Sequence, residues 1–114
     1  VDDHVRALVD VLERGVIGES YGISGNNQIK NSDLVTKICQ LLDRLSPDKP
    51  RGIESHLQLM QFVADRAGHD FKYAMDSTKI LNKLGWKPLE TFESGLEKAV
   101  IWHLAEAKAL REIN

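Results

Sequence analysis

Apolar residues recur at helical spacing in four stretches of the chain, and each stretch predicts an amphipathic helix. Residues that favour a helix start precede them, and glycines at positions 15 and 85 suit the ends of the first and third helices. The predicted starts are Asp2 or Asp3, Asn31, Asp76 or Ser77, and Thr91. The main apolar faces are Val5, Leu8, Val9 and Leu12; Leu34, Ile38, Leu41, Leu42 and Leu45; and Phe92, Leu96, Val100 and Leu104.

Three short segments between the helices predict strands, because they are rich in aromatic and β-branched residues. They read ESYGISG at 19–25, MQFVAD at 60–65 and FKYAMD at 71–76. The run HLQLMQFV at 56–63 also fits a short helix that leads into a strand. We therefore predict one α/β domain over residues 1–114, with three to four helices and a small sheet. Its core is expected to include Leu34, Ile38, Leu42, Val100 and Leu104.

The two tryptophans and the cysteine are predicted to be structural. Trp86 follows a glycine in the turn LGWKP, and we expect it to pack this turn on the core rather than to stack on a ligand. Trp102 lies beside an apolar helix face, which predicts a core position. Cys39 lies within an apolar helix, where a thiol behaves as a small hydrophobe.

The composition is that of a soluble globular protein and excludes several classes of partner. Of the 114 residues, 42% are hydrophobic and 28% are charged, with a formal net charge of −2. That balance gives no general attraction to nucleic acid or to an anionic membrane, and no apolar run approaches the ~20 residues of a membrane span. A single cysteine cannot form an internal disulfide, which favours a reducing, cytoplasmic location. The first residues look like the middle of a fold, so we expect a piece of a longer protein.

The sequence holds no complete active site. The histidines at positions 4, 56, 69 and 103 lack the paired spacing of a zinc site, and no serine or cysteine has the context of a catalytic nucleophile. The run GISGNN has the wrong spacing for a phosphate-cradling turn. His69 and Asp70 are neighbours, but adjacent residues of an extended segment point to opposite faces. Enzymatic chemistry would therefore have to come from outside these residues.

The stretch DRAGHDFKY, residues 65–73, concentrates basic and aromatic side chains. The planar guanidinium of Arg66 matches two phosphate oxygens, and the aromatic rings could line a cleft. An ordinary solvated loop, with Arg66 paired to Asp65 or Asp70, fits the same residues. Asn31 is either a helix cap alone or a cap that also contacts an anion at the helix N-terminus. The residues alone leave these alternatives open.

The chain contains, in this order, the segments VDDHVRAL, GESYGISGNNQIKN, FVADRAGHDFKYAMDSTKI, LGWKP and TFESGLEKAVIWHL. This series resembles the C-terminal part of the dTDP-glucose 4,6-dehydratases, which are extended short-chain dehydrogenases acting on nucleotide sugars. The run DRAGHDFKYAMD followed by LGWKP and TFESGL is the specific part. The chain departs from many members at Gly22, Ala67 and His103, and it ends in AEAKALREIN where the family has a longer tail. The departures bear on the exact sugar nucleotide more than on the family.

The resemblance implies a small C-terminal substrate-binding domain without its Rossmann domain. In the family, the Rossmann domain holds NAD on a TGxxGxxG turn and supplies a catalytic YxxxK pair, and neither motif is present here. The C-terminal part grips the nucleotide diphosphate end of dTDP-glucose. The family's contact positions correspond to Asn31, Arg66, His69, Asp70, Phe71, Lys72 and Tyr73.

The resemblance also implies partners outside the chain. The family dimerises chiefly through the missing domain, so the parent enzyme is expected to be a homodimer that binds NAD elsewhere. Two other interpretations stay open. One is a stand-alone nucleotide- or protein-binding module descended from such a domain, and the other is part of a nucleotide-sugar epimerase, which the run DRAGHD disfavours.

Overall fold

Helices make up the regular structure of the chain. The computed structural model describes residues 1–46, 49–68 and 74–112, with only the backbone of 111 and 112. Within these ranges the elements are α1 (Asp2–Arg14), α2 (Asn31–Leu45), a 3-10 helix (His56–Leu59), α3 (Thr78–Leu84) and α4 (Phe92–Glu112). The prediction of three to four helices is confirmed.

The chain divides into two compact units, each built from two separate segments. The first unit comprises Val1–Gln28 and Asp70–Phe92, and the second comprises Ile29–His69 and Glu93–Asn114. The first therefore holds α1 and α3, whereas the second holds α2, the 3-10 helix and nearly all of α4. The assignment of residues 1–114 to one functional domain stays a prediction.

No strand is found in the described residues, so the predicted small sheet is not confirmed. Tyr21 and Ile23 pack on the core of the first unit. The backbone at Gly22 lies against residue 76, since a Cβ there would be 2.5 Å from the carbonyl oxygen of Asp76. A strand also needs a regular series of hydrogen bonds to a neighbouring segment, and the described backbone has none at this place.

The other two predicted strands also lack regular pairing where they are described. In MQFVAD the backbone is irregular, and Phe62 and Val63 are 91% and 84% exposed. The preceding run forms the 3-10 helix, so the alternative of a short helix at HLQL is confirmed. Of FKYAMD, only residues 74–76 are described, and they have no strand partner among the described residues. Alternation alone therefore gave the wrong secondary structure at 60–65.

The core of the first unit forms where α1 and α3 meet the turn after α3. Ala7 and Ile80 are fully buried, and Leu84 and Trp86 are nearly so. The indole Nε1 of Trp86 donates to the backbone carbonyl of Asp3 at 3.2 Å, which satisfies the one polar atom of the ring. The structural role predicted for Trp86 is confirmed.

Local signals at both ends of α3 act as the sequence predicts. Ser77 is the N-cap residue, and the neighbouring Asp76 supplies the capping bond, since its Oδ1 accepts from the backbone N–H of Thr78 at 2.8 Å. Gly85 ends the helix with φ of 71°, in the left-handed region that favours glycine. The polypeptide then turns directly into Trp86.

The predicted apolar face of α1 is not the face that α1 buries in this structure. Val5, Leu8 and Val9 are about half exposed, and Leu12 is 86% exposed. The buried side presents Ala7, with Val11 packed beside it, and α3 lies against this side. The small Ala7 side chain lets the two helices approach closely, which helical periodicity alone does not reveal.

The predicted cap of α1 is also corrected. Val1 is the N-cap residue of α1, and neither Asp2 nor Asp3 caps this helix with its side chain. Asp3 instead accepts from the backbone N–H groups of Leu89 and Glu90, at 3.0 and 2.9 Å. The bond from Leu89, the bond from Glu90 and an ion pair with Arg6 together lower the pKa of Asp3 to about 2. Asp3 thus joins α1 to the turn after Trp86.

In the second unit, α2 and α4 bury less than their apolar patterns predict. Cys39 and Val100 are buried, as expected. The other predicted core positions are half-buried, namely Leu34, Ile38, Leu42 and Leu104. Trp102 is 58% exposed, so its predicted core position is wrong. Its ring lies edge-to-face with the ring of the neighbouring His103, at 4.7 Å between centroids.

Candidate functional site

The predicted phosphate-binding stretch is described only in part. His69, Asp70, Phe71, Lys72 and Tyr73 lie outside the described residues, so their proposed contacts stay predictions. Arg66 and Asn31 are described, and both belong to the second unit.

Arg66 lies on the surface, next to a turn. Its backbone N–H donates to Oδ1 of Asp65 at 2.8 Å, and the chain then turns at Gly68, which has φ of 72°. Within residues 1–46, 49–68 and 74–112, no ion pair of the Arg66 guanidinium is found. The Asp65 pairing considered from the sequence is therefore a bond to the backbone N–H of Arg66 and not to its side chain.

Asn31 is the first residue of α2 and not its cap. Lys30 is the N-cap residue, with an extended backbone and no capping bond from its side chain. The Asn31 side chain is exposed in the first turn, where backbone N–H groups have no partner within the helix. No hydrogen bond of its side-chain amide is found within the described residues, and Asp33 in the same turn contributes a negative charge at the helix start.

A polar recess in the first unit was not predicted. Its volume is about 290 Å³, near the lower limit for small-ligand pockets, and its walls combine amides, a hydroxyl and a carboxylate. The lining residues are Ser24, Asn26, Asn27, Gln28, Ala74, Met75 and Asp76. Uncharged amides both donate and accept hydrogen bonds, so this surface suits a neutral polar group such as a hydroxyl or a base edge.

One asparagine fixes the shape of this recess. Asn26 has φ of 55°, and its backbone N–H donates to the Ser24 hydroxyl at 2.9 Å. Its Oδ1 accepts from the hydroxyl of Ser77, a buried residue at the start of α3, also at 2.9 Å. The two adjacent asparagines in GNNQ were the one sequence signal of a turn here, since asparagine tolerates the left-handed backbone region better than most residues.

A serine, a histidine and an aspartate meet in the second unit, but they do not form a catalytic triad. Ser55 Oγ donates to Oδ2 of Asp43 at 2.6 Å, whereas the backbone N–H and the ring Nδ1 of His56 contact Oδ1 at 2.9 and 2.5 Å. The hydroxyl thus faces the carboxylate and not a base that could activate it. Asp43 joins α2 to the 3-10 helix.

This carboxylate is expected to make stability depend on pH. The Ser55 hydroxyl, followed by the backbone N–H and ring of His56, holds the pKa of Asp43 well below its usual range. A lowered pKa in the folded state means that the stabilisation is complete above the usual aspartate pKa and is lost as pH falls below it. We expect Asp43→Asn to lower the urea midpoint at pH 7 and to flatten the loss of stability between pH 5 and about pH 2. Asp10→Asn, which removes only the exposed pair with Arg14, serves as the control, and an unchanged pH slope in Asp43→Asn would contradict the assignment.

The charged side chains that line the groove between α2 and α4 form ion pairs with one another. Its volume is about 420 Å³, and two exposed ion pairs cross it. Arg44 contacts Glu97 at 2.7 Å, and Lys37 contacts Glu93 at 3.4 Å. Exposed pairs of this kind contribute about 0–1 kcal/mol each, so they orient the two helices more than they stabilise them.

Two kinds of site are absent from the described part of the chain. No group of three or more histidine, cysteine, aspartate or glutamate side chains there could hold a metal ion. None of its helices combines the length and the apolar character that crossing a membrane requires.

Comparison with known proteins gives the context of these residues. Residues 1–99 match the family model for GDP-mannose 4,6 dehydratase. Proteins named dTDP-glucose 4,6-dehydratase from Escherichia coli and Neisseria meningitidis are each 53% identical to the chain over 104 residues. Each alignment covers 91% of this chain and 29% of the relative. The chain thus spans less than a third of the length of these curated relatives.

A solved structure supports the same relationship. The crystal structure of dTDP-glucose 4,6-dehydratase from Bacillus anthracis, in complex with NAD, superposes with a TM-score of 0.76. It is 34% identical to the chain, and the match covers 94% of this chain and 30% of that one. The fold described above therefore resembles one part of that longer enzyme.

Proposed function

Because this chain belongs to the GDP-mannose 4,6 dehydratase family, we propose that it forms the C-terminal, substrate-binding part of a dTDP-glucose 4,6-dehydratase. One observation carries the choice of sugar nucleotide, namely that relatives 47% to 53% identical bear this name. The parent enzyme would convert dTDP-glucose to dTDP-4-keto-6-deoxyglucose. This chain would hold the nucleotide diphosphate end of the substrate.

The chemical steps belong to polypeptide outside these 114 residues. The family reaction oxidises the sugar 4-hydroxyl, removes water across carbons 5 and 6 and returns the hydride to carbon 6, with NAD as the hydride carrier. The sequence has neither a glycine-rich dinucleotide turn nor a YxxxK pair, so its residues do not fit NAD. We assign the cofactor, the acid–base groups and the dimer contacts to that other part of the parent enzyme.

Arg66 is the residue that we propose for the diphosphate. Its side chain lies on the surface, and its guanidinium could donate hydrogen bonds to two phosphate oxygens in one plane. The adjoining residues His69–Tyr73 are proposed, on the resemblance alone, to contact the nucleoside.

Asn31 is proposed as a second contact, through its place in α2. This helix has 15 residues, and its first N–H groups carry the positive end of the helix dipole. A phosphate or sugar oxygen next to Asn31 would gain from both the amide and the dipole.

A chimaeric enzyme tests this function. In it, the present chain replaces the 104 matched residues of the E. coli relative. We expect dTDP-glucose to lose the mass of one water molecule, as seen by mass spectrometry, whereas GDP-mannose stays unchanged. The isolated 114-residue chain is the control, and it should neither bind NAD nor convert dTDP-glucose.

Other outcomes would refute parts of the proposal. A preference for GDP-mannose would make the assigned nucleotide wrong. Turnover by the isolated chain would show that the chemistry was placed in the wrong part of the enzyme.

A further inference from the structure

Three side chains of the polar recess use only one of their two polar atoms within the protein. They are Asn26, Asn27 and Asp76, and all three line the recess. In each of them one atom bonds to the neighbouring loop or helix, while the other has no hydrogen-bond partner within the described residues. Polar atoms that are held in position and left unpaired are suited to binding a polar ligand.

Asn26 contributes an unpaired donor. Its Oδ1 accepts from the hydroxyl of Ser77 at 2.9 Å, and Ser77 is only 4% exposed. Because this oxygen is held, the amide nitrogen keeps two N–H donors for another group. Among the residues that the structure describes, Asn26 is the only one other than glycine with a positive φ, at 55°. Such sparsely populated backbone conformations cluster at ligand-binding sites.

Asn27 and Asp76 contribute unpaired acceptors. Nδ2 of Asn27 donates to the backbone carbonyl of Gly25 at 3.0 Å, which leaves the amide Oδ1. Oδ1 of Asp76 accepts from the hydroxyl and the backbone N–H of Thr78 at 2.6 and 2.8 Å, which leaves Oδ2. These two bonds, from the hydroxyl and then from the N–H, lower the pKa of Asp76. The carboxylate is therefore ionised at neutral pH, so the recess attracts donors and repels anions.

We propose that the polar recess binds two neighbouring hydroxyl groups of a neutral sugar ring. Each hydroxyl both donates and accepts, so the pair can donate to Asn27 and Asp76 while one member accepts from Asn26. A fully ionised phosphate has no donor for the two acceptors. The imide edge of thymine has one N–H and would leave one acceptor unpaired, which costs affinity. A volume of about 290 Å³ also suits a single ring rather than a whole nucleotide sugar.

Heteronuclear NMR of the 114-residue chain tests the proposal with three small sugars. Methyl glucoside and methyl riboside carry neighbouring hydroxyls, whereas methyl 2-deoxyriboside lacks one of the pair. We expect the first two to shift the side-chain amide resonances of Asn26 and Asn27, with dissociation constants of about 1 mM. The deoxy sugar should bind about tenfold more weakly. Tighter binding of the glucoside would indicate a hexose, and tighter binding of the riboside would indicate a ribonucleoside; either supports the proposal.

Two isosteric substitutions each reverse one unpaired atom and keep the atom that holds the backbone. Asp76→Asn replaces the acceptor Oδ2 by a donor nitrogen, and Asn26→Asp replaces the donor Nδ2 by an acceptor oxygen. Each should weaken the binding of methyl glucoside about tenfold or more. Asp10→Asn is the control, because it changes the net charge as Asp76→Asn does but removes only an exposed ion pair on α1. It should bind as the unsubstituted chain does.

Several results would overturn the proposal. One is that the resonances of Asn26 and Asn27 stay unchanged at the highest soluble concentration of both sugars. Another is that the deoxy sugar, or the Asp76→Asn variant, binds as tightly as its counterpart. Shifts with inorganic phosphate or 9-methyladenine, and none with sugars, would assign the polar recess to an anion or to a base edge.

Should one variant not fold, the other variant and the deoxy sugar still decide the question. The proposal depends neither on Arg66 nor on the assignment of dTDP-glucose, because neighbouring hydroxyls are common to many sugars. Its failure would therefore leave the function tested by the chimaera unaffected.

Discussion

Replacing Trp86 with alanine is expected to lower the free energy of unfolding of the first unit by about 3–5 kcal/mol, the usual cost of deleting a large buried aromatic ring. Trp86 is only 3% exposed and packs with Ala7, Ile80 and Leu84. Its removal would leave a cavity where α1 and α3 meet, and the bond from Nε1 to the carbonyl of Asp3 would be lost as well.

Trp102 provides the matched control for this substitution. It is the second of the two tryptophans, and it is 58% exposed on α4. Trp102→Ala should change the free energy of unfolding by no more than about 0.5 kcal/mol. Urea unfolding followed by circular dichroism compares the variants without relying on tryptophan fluorescence. Similar losses in both variants would mean that Trp86 is not the centre of the core.

Arg66→Ala in the chimaeric full-length enzyme is expected to raise the dissociation constant for dTDP about tenfold or more. Hydrogen bonds to a charged group contribute roughly 1.5–3 kcal/mol in a closed site, and each 1.4 kcal/mol corresponds to a factor of ten in affinity. Arg66→Lys should recover only part of the affinity, because an ammonium keeps the charge but loses the planar fork. Calorimetric titration of dTDP measures all three proteins.

Arg44 offers a control within the same unit. It is also an exposed arginine, but its guanidinium is held by Glu97 at 2.7 Å. Arg44→Ala should leave the affinity for dTDP unchanged, and none of these substitutions should alter NAD binding. If the Arg66→Ala variant binds dTDP as tightly as the unsubstituted chimaera does, Arg66 does not bind the diphosphate.

The sequence predicts helix α3 and its surroundings well, because the signals there are local. Asp76 caps the helix from one residue before Ser77, and Gly85 ends it in the left-handed region. Trp86 follows immediately, so its position relative to α3 is nearly determined by the chain itself. Capping and turn preferences act over a few residues, and a single sequence displays them directly.

The face that α1 buries could not be predicted in the same way. Periodicity identifies Val5, Leu8, Val9 and Leu12 as an apolar face, but it does not say which surface covers them. In this structure α3 packs on a different side of α1, the one that carries the small Ala7. The predicted strands are not confirmed in the described residues for a related reason, since a strand exists only when another segment supplies its hydrogen-bond partners.

The polar recess escaped prediction because its residues meet only after folding. Asn26 and Ser77 are 51 positions apart, yet the amide of one accepts from the hydroxyl of the other. The predicted contacts Asn31 and Arg66 came from family resemblance, and the physics of their neighbourhoods allowed capping or pairing equally well. Short-range preferences therefore identify where helices start and end, whereas sites require long-range contacts that a single sequence does not show.

The bond between Trp86 and Asp3 has a consequence for how the protein is made. These residues are 83 positions apart, so the ribosome must synthesise 83 residues beyond Asp3 before α1 meets Trp86. Until then the Ala7 side of α1 lacks the cover that Ile80, Leu84 and Trp86 give it. We expect the nascent first segment to be a binding site for chaperones, and we expect closure of this long loop to limit the folding rate.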